Sequence, residues 1–236
     1  MTSRDLVTAG SLAHRYGVKS VVYGPPGAGK TPLLETLIAG GHRAVLCVCE
    51  PGMGTLRESK MAAWAAFSTD AIMDFVRWRL ESAESKQFDV TVIDSGSELA
   101  ETFLRDILNG TSKGGNKKHG LQAYGDMAQK AYSDVFLKLY LAPDMHVVIT
   151  CKEMLWGDEG MRDKRPSFPG QVLPVQFPHL YDNLMRLESI THTDGKQYKV
   201  LRCESTLGIL ARNRNRLDAI EPADLSHIIR KSLEGK

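Results

Sequence analysis

Long apolar runs are missing from this chain of 236 residues. No stretch approaches the ~20 residues that a helical membrane span requires, so no membrane partner is expected. Cysteine is scarce. Cys47, Cys49, Cys151 and Cys203 are the four present; no C-x-x-C pair occurs, and their spacings fit no zinc site. They read as buried free thiols on strands, with Cys47 and Cys49 facing the same side. A dominant charge is absent too, 30 Lys and Arg standing against 28 Asp and Glu. Any nucleic-acid contact must therefore come from local patches. The start, Met1-Thr2-Ser3-Arg4-Asp5, lacks the apolar core of a secretory signal, which predicts a cytoplasmic protein. Repeats and a clear domain boundary are also lacking, so residues 1–236 are expected to form a single domain with a full core.

What is present centres on Gly24-Pro25-Pro26-Gly27-Ala28-Gly29-Lys30-Thr31, a match to G-x-x-x-x-G-K-[ST] at every fixed position. Ser20-Val21-Val22-Tyr23 before it reads as a buried strand. The stretch from Pro32 to Ala39 reads as a helix stopped by Gly40-Gly41, giving the context the motif needs. Glycines 27 and 29 can take backbone angles closed to other residues, so the loop's N–H groups can converge on a phosphate. Residues 24–32 thus form the expected ATP cradle. Lys30 would reach the β- and γ-phosphates, and the Thr31 hydroxyl would hold Mg2+.

Further strands follow the loop and its helix. Arg43–Glu50, Phe88–Ser95 and His146–Cys151 are apolar runs typical of buried parallel strands. Helices are expected through 71–78, over 97–108, and from about Tyr124 to Leu141. A lead-in helix, Leu6 to Tyr16, is expected to cover a sheet edge. Two polar, basic stretches, about 109–123 and 154–181, read as mobile loops. Asn183–Thr191 and Gln197–Glu204 flank Thr193-Asp194-Gly195-Lys196, a hairpin signal. Leu207–Arg212 could add a strand, and the tail reads as a capped helix with Pro222 near its start. The pattern is α/β: a mostly parallel sheet flanked by helices, with a C-terminal antiparallel β-hairpin.

Two carboxylates close strands. Asp94 follows Val90-Thr91-Val92-Ile93 and would complete the magnesium site beside Thr31. Glu50 ends the second strand, where ligands of an open parallel sheet gather, and could orient an attacking water. Glu98 is a rival base.

In this order the motifs resemble the RecA-like P-loop ATPases, particularly compact phage-encoded ones of single-strand-annealing recombination. The resemblance rests on GPPGAGKT, Glu50, VTVIDS at 90–95, the strand ending Ile149-Thr150-Cys151-Lys152-Glu153, Arg165–Gly170, and Ala211-Arg212-Asn213-Arg214. It implies Glu50 as catalytic base, Thr150 or Lys152 as γ-phosphate sensor, and Arg212 and Arg214 as groups reaching a neighbouring subunit's nucleotide. A homo-oligomeric ring or filament follows, located in the host cytoplasm if phage-encoded. The two basic stretches fall where such proteins carry DNA-binding loops. Lys113, Lys117, Lys118, Arg162, Lys164 and Arg165 would meet single-stranded DNA phosphates, while Phe168, Trp156 or Tyr124 stack on bases. A single-strand-binding or recombination protein would be a further partner. The sensor-position glutamine common in recombinases is missing, as are their extra DNA-binding domains, so the resemblance implies ATP hydrolysis more than strand exchange. Two alternatives share the phosphate loop: a nucleotide-gated interaction protein without a DNA role, and a small-molecule kinase whose lid would include 162–165.

Overall fold

The computed structural model describes residues 8, 10, 15–111, 120–191, 193 and 195–234. The lead-in helix expected from Leu6 lies almost wholly outside them, as do Lys113, Lys117 and Lys118. The strands are β1 (Lys19–Gly24), β2 (Ala44–Val48), β3 (Ala62–Ala65), β4 (Val90–Asp94), β5 (His146–Trp156), β6 (Asp163–Pro166), β7 (Asn183–Thr191), β8 (Gln197–Arg202), β9 (Arg212–Asn213) and β10 (Ile220–Pro222). They order as β10-β8-β7-β1-β5-β4-β2-β3, with β6 on β5 and β9 on β7. From β7 to β3 every neighbouring pair is parallel. The strands β8 and β10 add antiparallel pairs at the other side.

The reason the central strands read as unbroken apolar runs is that both faces are covered. Successive side chains alternate across the sheet. Val21 and Tyr23 join Cys47, Ile93 and Ile149 on one face, and Val22, Leu46, Val92 and Val148 lie on the other. The first face is covered by α3 (Thr69–Glu81), α4 (Gly96–Asn109) and a continuous run made of α5 (Leu121–Gln129), a π-helical segment Lys130–Phe136 and α6 (Leu137–Leu141). The second is covered by α1 (Lys30–Leu33) with α2 (Glu35–Ala39), and by α8 (Leu225–Glu234). A serine hydroxyl caps each of the two long helices: Ser68 accepts from the Ala71 N–H and Ser95 from the Glu98 N–H, both at 3.3 Å.

Four local expectations are corrected. Residues 154–181 are ordered by secondary structure: β5 runs on to Trp156 because its second half pairs antiparallel with β6, and a short helix α7 (Leu173–Gln176) follows. Ala62–Ala65 forms an unforeseen edge strand on β2. The strand expected over Leu207–Arg212 shrinks to β9, with bridges at Ile209. Pro222 ends β10 rather than opening the last helix, whose first turn is capped by the Asp224 carboxylate on the His227 N–H at 3.0 Å.

Candidate nucleotide-binding site

At the end of β1 the chain must turn sharply under close neighbours. A Cβ on Gly24 would sit 2.8 Å from the Leu187 carbonyl oxygen of β7, and Gly29 takes φ +98°, a left-handed angle that penalises other residues. Both fixed glycines of the motif are thereby accounted for. The Lys30 ammonium donates to the carbonyl oxygens of Gly24 (2.8 Å) and Pro25 (3.0 Å). Burial holds its pKa below the usual lysine value, with Asp94 opposing.

The strand between β1 and β4 is β5, and it places the decisive contact. Thr150 lies level with Val22 on one side, just past the Ile149–Ile93 pair on the other. Its fully buried hydroxyl donates to Asp94 Oδ1, while the Thr31 hydroxyl donates to Asp94 Oδ2 at 2.8 Å. The carboxylate at the strand end is thus fixed from below by Thr150 and presented beside the phosphate loop. An oxygen pair of this kind, hydroxyl plus carboxylate, has the hard-donor chemistry magnesium takes. Among the described residues no cluster of three or more His, Cys, Asp or Glu could hold a metal by itself. Magnesium would then draw its remaining ligands from phosphate and water, as it commonly does.

A cavity of about 630 Å³ opens over the loop, and Lys30, Thr31, Glu50, Asp94, Lys152 and Lys199 are among its walls. Glu50 makes no hydrogen bond or ion pair among the described residues. Burial, then the charge of Asp94, lifts its pKa above the ordinary carboxylate value. Glu98 differs: it accepts from Lys152 Nζ at 2.6 Å, and Glu101 lies 3.6 Å from the same ammonium. Burial works against the Lys152 charge, yet these carboxylates raise its pKa on balance. Between the rival bases, the free one is Glu50. Ser97 ties the wall together, accepting from the Lys152 N–H at 2.9 Å and donating to the Ser167 carbonyl at 2.6 Å.

Residues 16–215 match the AAA domain family. The chain belongs to the AAA domain family. Its sheet is the RecA-like arrangement expected, mostly parallel, flanked by helices, with the antiparallel hairpin β7–β8. Three solved structures are similar in fold. The RadB recombinase has 16% identity and a TM-score of 0.45, with 89% of this chain and 92% of that one covered. The flagellar accessory protein FlaH of Methanocaldococcus jannaschii has 12% identity and a TM-score of 0.43, covering 92% and 91%. The Legionella pneumophila ATPase DotB has 11% identity and a TM-score of 0.36, covering 97% and 54%. No curated protein matches the sequence.

In this AAA domain Thr150, Arg212 and Arg214 do not line the cavity of their own chain. Thr150 is buried, donates to Asp94 and does not line the cavity; Lys152 is the residue of that pair on the wall. The β9 arginine pairs beside Leu184, level with Val21 near the start of β1, whereas the phosphate loop follows the end of β1. Arg212 donates to the His179 carbonyl, and Arg214 lies 3.5 Å from Asp182 Oδ1. Neither reaches the loop of its own chain.

The proposed DNA contacts also divide. Arg162 is exposed, but Arg165 is bound bidentately to Asp163 and stacks over Trp156 at 5.7 Å. The Lys164 backbone is held to Gly208 and Leu210, and its carbonyl accepts from the Tyr23 hydroxyl. Phe168 is only 4% exposed and packs against Phe136 and Phe177. It cannot stack on a base; Tyr124, 41% exposed, can.

Sequence reasoning missed two features. Lys199 of β8 reaches the phosphate loop, and a ladder of ion pairs, Glu153–Arg186–Glu188–Arg202, runs from the cavity wall into the hairpin. That a hairpin would form here was legible. What its charged residues would meet was not, because that depends on which strand lies beside β7.

Proposed function

We propose that the protein binds ATP with magnesium, hydrolyses it, and acts on single-stranded DNA as a ring or filament in phage-type recombination or replication. The observation that carries the nucleotide reading is Asp94, gripped by Thr31 and Thr150 at the mouth of the glycine loop. The loop amides and Lys30 would bind the phosphate chain, and Thr31 and Asp94 would hold magnesium, which supplies neutralising charge on the β- and γ-oxygens. Glu50 would orient a water and take its proton as the water oxygen bonds to the γ-phosphorus. The bond from that phosphorus to the β,γ-bridging oxygen breaks, leaving ADP and phosphate. The raised Glu50 pKa suits a proton acceptor.

Assembly is supported by the position of Arg212 and Arg214 at the far end of the sheet. From there an arginine would serve the nucleotide of an adjoining subunit, where it would stabilise developing charge. The DNA reading draws on exposed Arg162 and Tyr124 and on the basic stretch at 113–118, which lies outside the described residues. A second reading, a nucleotide-gated interaction protein without a DNA role, is favoured by the pairing of Arg165 with Asp163 and by the burial of Phe168.

ATP hydrolysis measured with and without single-stranded DNA, at several protein concentrations, separates the two. Stimulation by DNA, with specific activity rising with protein concentration, is the expected result. A flat, DNA-insensitive rate would move the protein to the second reading. Lys30→Ala is expected to abolish nucleotide binding or turnover, and unchanged hydrolysis in that variant would overturn the site itself.

A further inference from the structure

The hairpin β7–β8 overhangs the phosphate loop. Arg186 of β7 lies level with Tyr23 of β1, and β7 continues past it to Thr191. Ser189 in that extension faces Lys199 across the hairpin. The Lys199 side chain crosses to the loop so closely that a Cβ on Gly29 would fall 2.3 Å from its ammonium nitrogen. The left-handed backbone is what calls for glycine here, and the mobile end of Lys199 rests in the space that a side chain would fill.

No carboxylate among the described residues pairs with Lys199. The lysine has no ion pair or hydrogen bond among the described residues, although Glu188 faces the adjacent Val200 across the hairpin and Glu153 lines the same cavity. Those carboxylates are already engaged: Glu153 meets Arg186 at 2.7 Å, Glu188 meets Arg202 at 2.6 Å, and Arg186 also pairs with Glu188. The ladder balances two arginines against two glutamates and stiffens the base of the hairpin. Of the other two lysines on the cavity wall, Lys152 is spent on Glu98 and Glu101, and Lys30 donates to the Gly24 and Pro25 carbonyls. Among the described residues, Lys199 is left as a cation without an ion-pair partner, held against a phosphate-binding backbone.

We infer that Lys199 is a second phosphate ligand acting in its own chain, clasping the polyphosphate of a nucleoside di- or triphosphate from the hairpin side while Lys30 holds it from the helix side. A lysine serves this role as a mobile point charge. The contact also ties the position of the hairpin to the presence of phosphate. The inference rests on the nucleotide reading above.

The test is calorimetric titration of the full chain with ADP and with a non-hydrolysable ATP analogue, in the presence of magnesium, for the wild type, Lys199→Ala, Lys199→Arg and Lys30→Ala. Lys199→Ala is expected to bind the triphosphate analogue about tenfold more weakly, the size of one charge-assisted contact. Lys199→Arg should restore most of the affinity. Melting temperatures without nucleotide should be equal, because the side chain is exposed, and the deficit should shrink as salt rises. If Lys199→Ala binds both ligands like the wild type while Lys30→Ala binds neither, the Lys199 assignment is overturned and the nucleotide site stands. If the wild type binds neither ligand, both fall.

Discussion

Thr31 and Asp94, 63 positions apart in the chain, meet through a hydrogen bond of 2.8 Å from hydroxyl to carboxylate. The contact joins the first residues of a helix to the end of a strand that is not its neighbour. Between them lies β5, which carries Thr150 level with Val22 of β1 and one residue past the Ile149–Ile93 pair, where β4 ends.

Removing the acceptor should be felt in stability as well as in metal dependence. In Asp94→Ala the Thr150 hydroxyl, fully buried, loses its partner, at a cost of about 1–3 kcal/mol. Urea unfolding should show that loss, and nucleotide affinity should no longer respond to magnesium. Thr150→Val removes the donor instead. It should retain magnesium-dependent binding while lowering turnover, and loss of all binding would contradict the positioning role.

Glu50→Gln should keep nucleotide affinity and lose turnover, by roughly 10²-fold or more if the carboxylate is the base. Burial and the neighbouring Asp94 raise its pKa, so wild-type turnover should climb with pH through a midpoint above that of an ordinary glutamate. The same shift sets a stability sign. Above the unfolded-state pKa the folded protein binds the proton more readily than the unfolded chain does, so charged Glu50 costs stability at neutral pH. Glu50→Gln should therefore melt higher than wild type at pH 7, with the gain vanishing once both states are protonated in acid. A variant with wild-type turnover would move the base elsewhere.

Lys19 offers a second pH readout away from the site. Its amine is buried at the start of β1 and donates to the carbonyls of Ala142 (2.9 Å) and Met145 (2.8 Å). Burial pushes its pKa from 10.5 down to about 7, with Asp182 opposing. Between those values the unfolded chain binds more protons, so stability should rise with pH across that window, and the cost is fully present below about 7. Lys19→Met should flatten this slope in denaturant titrations. It should also be less stable than wild type near the top of the window, where two carbonyls lose their donor.

Phe168 distinguishes packing from stacking. Its ring sits 4.7 Å from that of Phe177 and 5.9 Å from that of Phe136, centroid to centroid. Phe168→Ala should cost about 3–5 kcal/mol of stability and leave the single-stranded DNA affinity of the folded fraction unchanged. Weaker DNA binding by fully folded variant protein would reinstate the ring as a contact.

The phosphate loop, the buried strands around it, and the carboxylates Glu50 and Asp94 were determined by the sequence alone. Those features depend on local chemistry: glycine's backbone freedom, apolar runs that only a doubly covered sheet can bury, and a polar residue where such a run stops. The order of the strands was not local, and it decided the rest. The placement of β5 between β1 and β4 set the Thr150 hydroxyl on the Asp94 carboxylate. The pairing of β5 with β6 made a hairpin of a supposed loop and buried Phe168 behind it. The seating of β7 beside β1 carried Lys199 over Gly29 and left Arg212 and Arg214 at the far end of the sheet. Which charged side chain meets which partner is set by contacts between segments distant in the chain, and no spacing along a single strand encodes them.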